Sequence, residues 1–199
     1  MTAGKIDKDA KLCYNNDAVY LERRPIMNPT IETILTRRSI RSFKPDMLPR
    51  ETIDQIMEAG LYAPSGMNTQ NTVIIAITDK ETRDRLSRAN AAVMGSDRDP
   101  FYGAPVVLVV LAERGRRTHI HDGSLVMGNL MLAAHALGVG SCWIHRAGET
   151  FDQPEWKEWL VSLGLTGDYE GIGNCILGYA DGEEPSAPPR KEGRVFYAE

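Results

Sequence analysis

Apolar residues in the stretch from Asn28 to Arg38 fall at Ile31, Ile34 and Leu35, one stripe of a helix. Asn28 suits its N-cap and Pro29 its first helical position. The same spacing returns at Ile53, Ile56, Met57, Gly60 and Leu61, which predicts a second helix over about 50–62, broken by the turn-forming run APSGMNTQN. TVIIAIT (72–78) and VVLVVLA (106–112) read as strands, the second apolar throughout and therefore buried. Between them a helix is expected from Lys80 to about Ala92, followed by the loop GSDRDPFYGAP. DGSLVMGNLMLAAHALG opens on Asp122 as cap, closes on Gly138, and is apolar on nearly every side except at Asn129 and His135. Such a helix is expected to be buried all round, either at the centre of one core or with part of its surface on a second subunit. A strand VGSCWI, a helix around PEWKEWLVSL and a last strand IGNCILGY (172–179) complete the pattern. The proline-rich tail EEPSAPPRKEGRVFYAE ends in a briefly strand-like run. From this alternation alone an α/β layer arrangement follows, with strand direction unresolved.

Composition narrows the picture. A chain of 199 residues, 42% hydrophobic and 25% charged, suits one globular domain with an appendage. We divide it into a polar segment 1–27 and a domain 28–199. Tyr14, Val19, Tyr20 and Leu21 give the first segment the anchors of an arm, although a loose leader has the same polarity, and Met27 is an alternative start. A formal charge of -4 argues against a broad nucleic-acid surface, so any anion site is local. The longest apolar run is far short of the ~20 residues of a membrane span. Cys13, Cys142 and Cys175, odd in number and widely spaced, read as reduced thiols and point to the cytoplasm.

Candidate chemistry gathers in a few places. RRSIRSF sets Arg37, Arg38 and Arg41 around Ser39. The plain reading is that Arg37 and Arg38 complement the negative end of the first helix while Arg41 lies in solvent. The sharper one is a phosphate accepting bidentate hydrogen bonds from guanidiniums, with Arg190 and Lys191 of the tail joining them. The loop 63–71 carries hydroxyls and amides; Asn68, Gln70 and Asn71 suit a heterocycle that alternates acceptors and donors, or they satisfy an ordinary turn. Asn129, in the most apolar helix, needs a partner, either backbone or ligand. GVGSCW and GIGNCILG tempt a dinucleotide reading, but neither has G-x-G-x-x-G between strand and helix, and no Walker loop is present. His119, His121, His135 and His145 follow no familiar metal spacing, and no G-x-S-x-G marks a triad hydrolase. Trp156 and Trp159, three apart, are core or interface anchors.

Taken in order, RRSIRSF, APSGMNTQ, DGSLVMGNLMLAAHALGVGSCWI and a basic tail after GY resemble the nitroreductase family of flavin enzymes over residues 28–199. The resemblance implies an α+β fold with a mixed, largely antiparallel sheet flanked by helices, in an intertwined homodimer with FMN at the interface. It implies that Arg37, Arg38, Ser39, Arg41, Arg190 and Lys191 hold the phosphate and ribityl chain. By the same resemblance Pro64, Ser65, Gly66, Asn68 and Gln70 are expected to face the flavin of the opposite subunit, and Cys142, Trp143 and Ile144 to lie along the ring. It implies an NADH- or NADPH-dependent oxidoreductase working by ping-pong on nitroaromatics, quinones or similar acceptors, with the flavin N5 and no side chain as the reacting centre. Its variants are a flavin reductase, dehydrogenase or dehalogenase of a narrow metabolite, or a flavin-binding module without turnover. Two departures stand out: the stretch between Ala112 and Asp122 is short, so the helices that cover the site in larger members are missing, and Asn71 and Thr72 replace the bulky residue that often follows the amide loop.

Overall fold

The computed structural model describes residues 28–198. Helix α1 (Pro29–Thr36) starts where Asn28 Oδ1 accepts from Thr30 N–H at 2.9 Å and stops short of the arginines, with Arg37 as its C-cap. Then follow α2 (Arg50–Leu61), β1 (Thr72–Ile77), α3 (Lys80–Val93), β2 (Val106–Glu113), α4 (His119–Ala136), β3 (Gly140–Ile144), α5 (Ala147–Phe151), α6 (Pro154–Ser162) and β4 (Tyr169–Gly178). The strands form one sheet in the order β1-β2-β4-β3, and all three ladders are antiparallel. A single parallel bridge, Ser39 to Ser141, adds the arginine segment to the outer edge of β3.

The run at 106–112 is buried without a gap because β2 lies inside the sheet with a core on each face. Val106, Leu108 and Val110 point to the side covered by α2 and α4, together with Ile53, Ile56, Met127 and Leu130. Val107, Val109 and Leu111 point to the side of α3, α5 and α6, where Phe101, Phe151 and Trp156 are fully enclosed. Trp156 stands edge-on to Phe151 and to Trp159, with centroids 5.5 and 5.3 Å apart, so the two tryptophans are core anchors. The glycines that tempted a nucleotide reading have other uses: Gly138 takes a φ of 72° just past α4, and a Cβ on Gly173 would lie 2.4 Å from the Trp143 indole nitrogen.

Several expectations change. The long helix begins at His119, with Thr118 as N-cap, so Asp122 sits inside the first turn and does not cap it. Nor is α4 buried all round within one protomer: Asp122, Gly123, Val126, Met127, Leu130 and Ala134 are covered, whereas Leu125 is 47% exposed. α5, five residues long, is too short to show a period. Among the described residues the tail forms no strand, and Val195, Phe196 and Tyr197 are exposed. The arm, Cys13 and Met27 lie outside the described residues.

Candidate functional site

The arginine segment is fixed by its neighbours on both sides. Thr36 Oγ1 lies 2.8 Å from His135 Nε2, which ties the end of α1 to the end of α4. Four residues on, Ile40 N–H donates to Ser141 O at 2.9 Å, and Lys44 N–H donates to Tyr179 O. Between these ties the guanidiniums have different fates. Arg38 Nη1 donates to Leu35 O and Arg37 O at 2.9 and 2.7 Å, so this side chain closes the open carbonyls of α1, as the plain reading held. Burial, with Cys142 adding to it and the Arg37 charge opposing it, pushes the Cys175 thiol far above its usual range. Arg37 Nη1 is buried and has no hydrogen-bond partner. A cationic donor left like this is costly unless something completes it. Arg41 is exposed.

The outer edge of β3 continues the site. Because Ser141 presents its carbonyl to Ile40 on the side away from β4, the two-residue period of a strand turns the main-chain groups of Trp143 to the same open edge. Cys142 and Ile144 send their side chains into the core with Trp156, and by the same period their main-chain groups face β4, so neither turns a group to this edge. The Trp143 indole lies over Gly173 and walls a cleft of about 480 Å³ with Ile120 and Ser124 of α4, His145, Arg114 and Glu170. Its corner is rigid: Asn90 Nδ2 donates to His145 O at 2.9 Å, and Arg146 takes a left-handed φ of 72°. Arg114 is already engaged, with Asp152 at 2.8 Å and Glu170 at 3.6 Å, and its Asp152 contact raises its pKa further.

The amide loop is assembled elsewhere. Gln70 N–H donates to Ser65 Oγ at 3.0 Å, and Gln70 Nε2 donates to Asn68 Oδ1 at 3.3 Å. Met67, Asn68 and Gln70 all have φ near +50°, a conformation that non-glycine residues adopt at a cost. Pro64, Asn68 and Gln70 are exposed, while Ser65 and Gly66 are half-buried. Asn71 is buried with neither amide atom bonded. The loop docks on α4 at Asp122 and the arginine segment docks on α4 at His135, about 20 Å apart by helical rise. One protomer thus keeps its loop and its arginines at opposite ends of the same helix. Arg190 and Lys191 are exposed in the tail and not joined to the other arginines, although the tail leaves from beside them, where Phe43 bridges Ala180 and Asp181 N–H donates to Ser42 O.

Asn129 donates to Ala59 O at 3.1 Å, so its partner is backbone. Asp122 is the contact that sequence reasoning missed, because an aspartate ahead of an apolar run reads first as a helix cap. Among the described residues no group of three metal-ligating side chains forms, and no helix is long and apolar enough to cross a membrane.

A model of the Nitroreductase family matches residues 34–179. The chain belongs to that family. Its nitroreductase fold is shared with a nitroreductase with bound FMN from Bacteroides fragilis NCTC 9343, 31% identical, TM-score 0.79, covering 87% of this chain and all of that one. It is shared equally with a nitroreductase with bound FMN from Desulfitobacterium hafniense DCB-2, 28% identical, TM-score 0.77, with the same coverage. In sequence the chain is 29% identical over 191 residues to an NADPH-flavin oxidoreductase of Vibrio harveyi, 87% of this chain and 74% of that protein. An archaeal relative from Methanothermobacter thermautotrophicus matches over 130 residues at 28% identity, and this chain spans 65% of its length.

Proposed function

We propose that this nitroreductase is an FMN-dependent NAD(P)H oxidoreductase and that its flavin lies along the outer edge of β3. The observation that carries the reading is the buried, unpartnered Nη1 of Arg37 beside that edge. A phosphate meets that demand, since it accepts charge-assisted bonds from several donors at once. Arg37, Ser39 and Arg41 would hold it, with the free N–H groups of Arg38 and with Arg190 and Lys191 arriving from a tail. Beyond this anchor the main chain of Trp143 would border the ring, with Cys142 and Ile144 on either side of it in β3 holding that edge against the core, and the Trp143 indole would wall the cleft beside it. FMN held there would supply hydride chemistry between NADH or NADPH and a nitroaromatic, quinone or similar acceptor, the two taking the same place in turn in a ping-pong sequence. The chain's part is to orient: the Asn90–His145 bond fixes the corner, and no nucleophile is required.

The protein would work as a homodimer. α1 has no buried residue, with Ile31, Ile34 and Leu35 each about half exposed or more, and the outer face of α4 lies beside it. The free edge of β1 borders a groove of about 610 Å³ lined by Met57, Leu61, Leu163 and Leu165. The partner's run Val195–Tyr197, β-branched and aromatic and exposed within one protomer, has the composition to pair with such an edge. Pro64, Ser65, Gly66, Asn68 and Gln70 would then border the partner's flavin. Cys142 and Cys175 are free and buried, which fits a cytoplasmic setting.

The test is the visible spectrum of the purified protein. The expected result is a yellow protein that bleaches with NADH or NADPH and regains colour with a nitroaromatic. Colour that never bleaches would leave a flavin-binding module, and a protein that binds no added FMN would refute the reading.

A further inference from the structure

The loop 64–71 is strained, shallowly packed and yet held in one place. Met67, Asn68 and Gln70 have φ of 53°, 53° and 48°, and such residues persist only where the surroundings over-determine them. Packing does not do this: Met67 is 93% exposed, and a cavity of about 130 Å³ remains between the loop and α4. The bonds within the loop, from Gln70 N–H to Ser65 Oγ and from Asn68 N–H to Ser65 O, set its shape but not its position. Position comes from Asp122. This carboxylate is 3% exposed, an unusual place for a charge. Its Oδ1 accepts from Gly66 N–H at 2.9 Å and its Oδ2 accepts from Thr118 Oγ1 at 2.9 Å. The fit leaves no slack, because a Cβ on Gly66 would lie 2.3 Å from Thr118 Oγ1.

We propose that Asp122 is a positioning residue for the flavin site: through Gly66 it aims Ser65, Asn68 and Gln70 at the ring bound in the partner subunit. This rests on the proposed function, in which that loop borders the partner's flavin. The chemistry favours a carboxylate over other acceptors here, since both donors that face it, a main-chain N–H and a hydroxyl, are satisfied at once. An asparagine keeps the bond to Gly66 through its oxygen while its amide donates to Thr118, whose hydroxyl can accept. An alanine keeps neither.

The experiment compares Asp122→Ala, Asp122→Asn and Asp99→Asn as FMN-loaded dimers. Asp99→Asn breaks the polar cluster around Arg83 and Ser87, on the opposite face of the sheet, so it reports plain destabilisation. The readouts are the visible absorption band of bound FMN and the rate of its reduction by NADH or NADPH in a single turnover. The expected result is a shifted band and reduction slowed tenfold or more in Asp122→Ala, substantial recovery in Asp122→Asn, and neither change in Asp99→Asn. If Asp122→Ala does not fold, Thr118→Val, which removes the second bond and leaves the carboxylate, is expected to show the same change at smaller size. A yellow, active wild type with unaltered spectrum and rate in Asp122→Ala, or in Thr118→Val as its substitute, overturns the positioning role alone. A wild type that holds no flavin overturns the functional reading and this role with it.

Discussion

Two arginines, both turned toward the interior, show how differently the two sides of the sheet are finished. Arg83 on α3 is 8% exposed and has a partner at each guanidinium nitrogen: Nε to Ala104 O at 3.0 Å, Nη1 to Asp84 at 3.0 Å and Nη2 to Asp99 at 2.7 Å, with Phe101 against the guanidinium face. Asp99 in turn accepts from Ser87 Oγ and from the N–H groups of Phe101 and Gly103. Arg37, at the junction of α1 and β3, buries Nη1 with nothing to meet it. Around Arg83 the aromatic side chains are enclosed, whereas around Arg37 the α1 stripe, the α4 outer face and the tail stay exposed. The first region completes itself within one chain. The second has the composition of a site that a ligand and a partner complete.

Perturbing the closed region therefore tests stability, and perturbing the open one tests binding. The largest effect is expected from Trp156→Ala, which empties a fully buried site between Phe151 and Trp159 and costs about 3–5 kcal/mol by thermal or urea unfolding. Truncation after Gly182 is expected to spare the protomer fold while weakening both dimerisation and flavin retention, read by sedimentation and by the flavin-to-protein ratio; unchanged values for both would mean the tail closes nothing. Asp99→Asn is expected to cost about 1–3 kcal/mol at neutral pH, since it removes one of the two carboxylates paired with Arg83 and leaves only Asp84. Burial alone would raise the Asp99 pKa, but its bonds from Ser87, Arg83, Gly103 and Phe101 outweigh that and hold it below the ordinary carboxylate value. With a folded value below the unfolded one, its contribution is present above about pH 4 and fades as pH falls further. The gap between wild type and Asp99→Asn should accordingly narrow from pH 5 toward pH 2. Least affected should be Asp54→Asn, which breaks only the exposed i,i+4 pair with Arg50 and should change stability by under about 0.5 kcal/mol.

The closed side was also the more legible one. The periods at Ile53 and Ile56, the unbroken run of β2 and the spacing of Trp156 and Trp159 announce burial directly, because burial is what hydrophobic patterning encodes. Strand direction was not legible: alternating helices and strands precede either ladder, and only the resemblance in the motif order supplied the antiparallel answer. Of the candidate site, Arg37 and Ser39 could be found as a local charge anomaly, yet nothing in RRSIRSF says which guanidinium turns inward and which closes α1. Asp122 was invisible as a tether because its partner, Gly66, lies 56 positions away and donates through its backbone, which every residue but proline can do.

The account stands most directly on the binding of FMN to apo protein, followed by flavin fluorescence quenching for wild type and Arg37→Ala, with the thermal midpoint of each apo form. The predicted result is affinity weakened about ten- to hundredfold, the worth of a charge-assisted bond of roughly 1.4–2.7 kcal/mol, with an apo midpoint equal to or above that of wild type because a buried unpaired donor has been removed. Equal affinity, or an apo protein that unfolds at lower temperature, would place Arg37 in the scaffold and contradict the account.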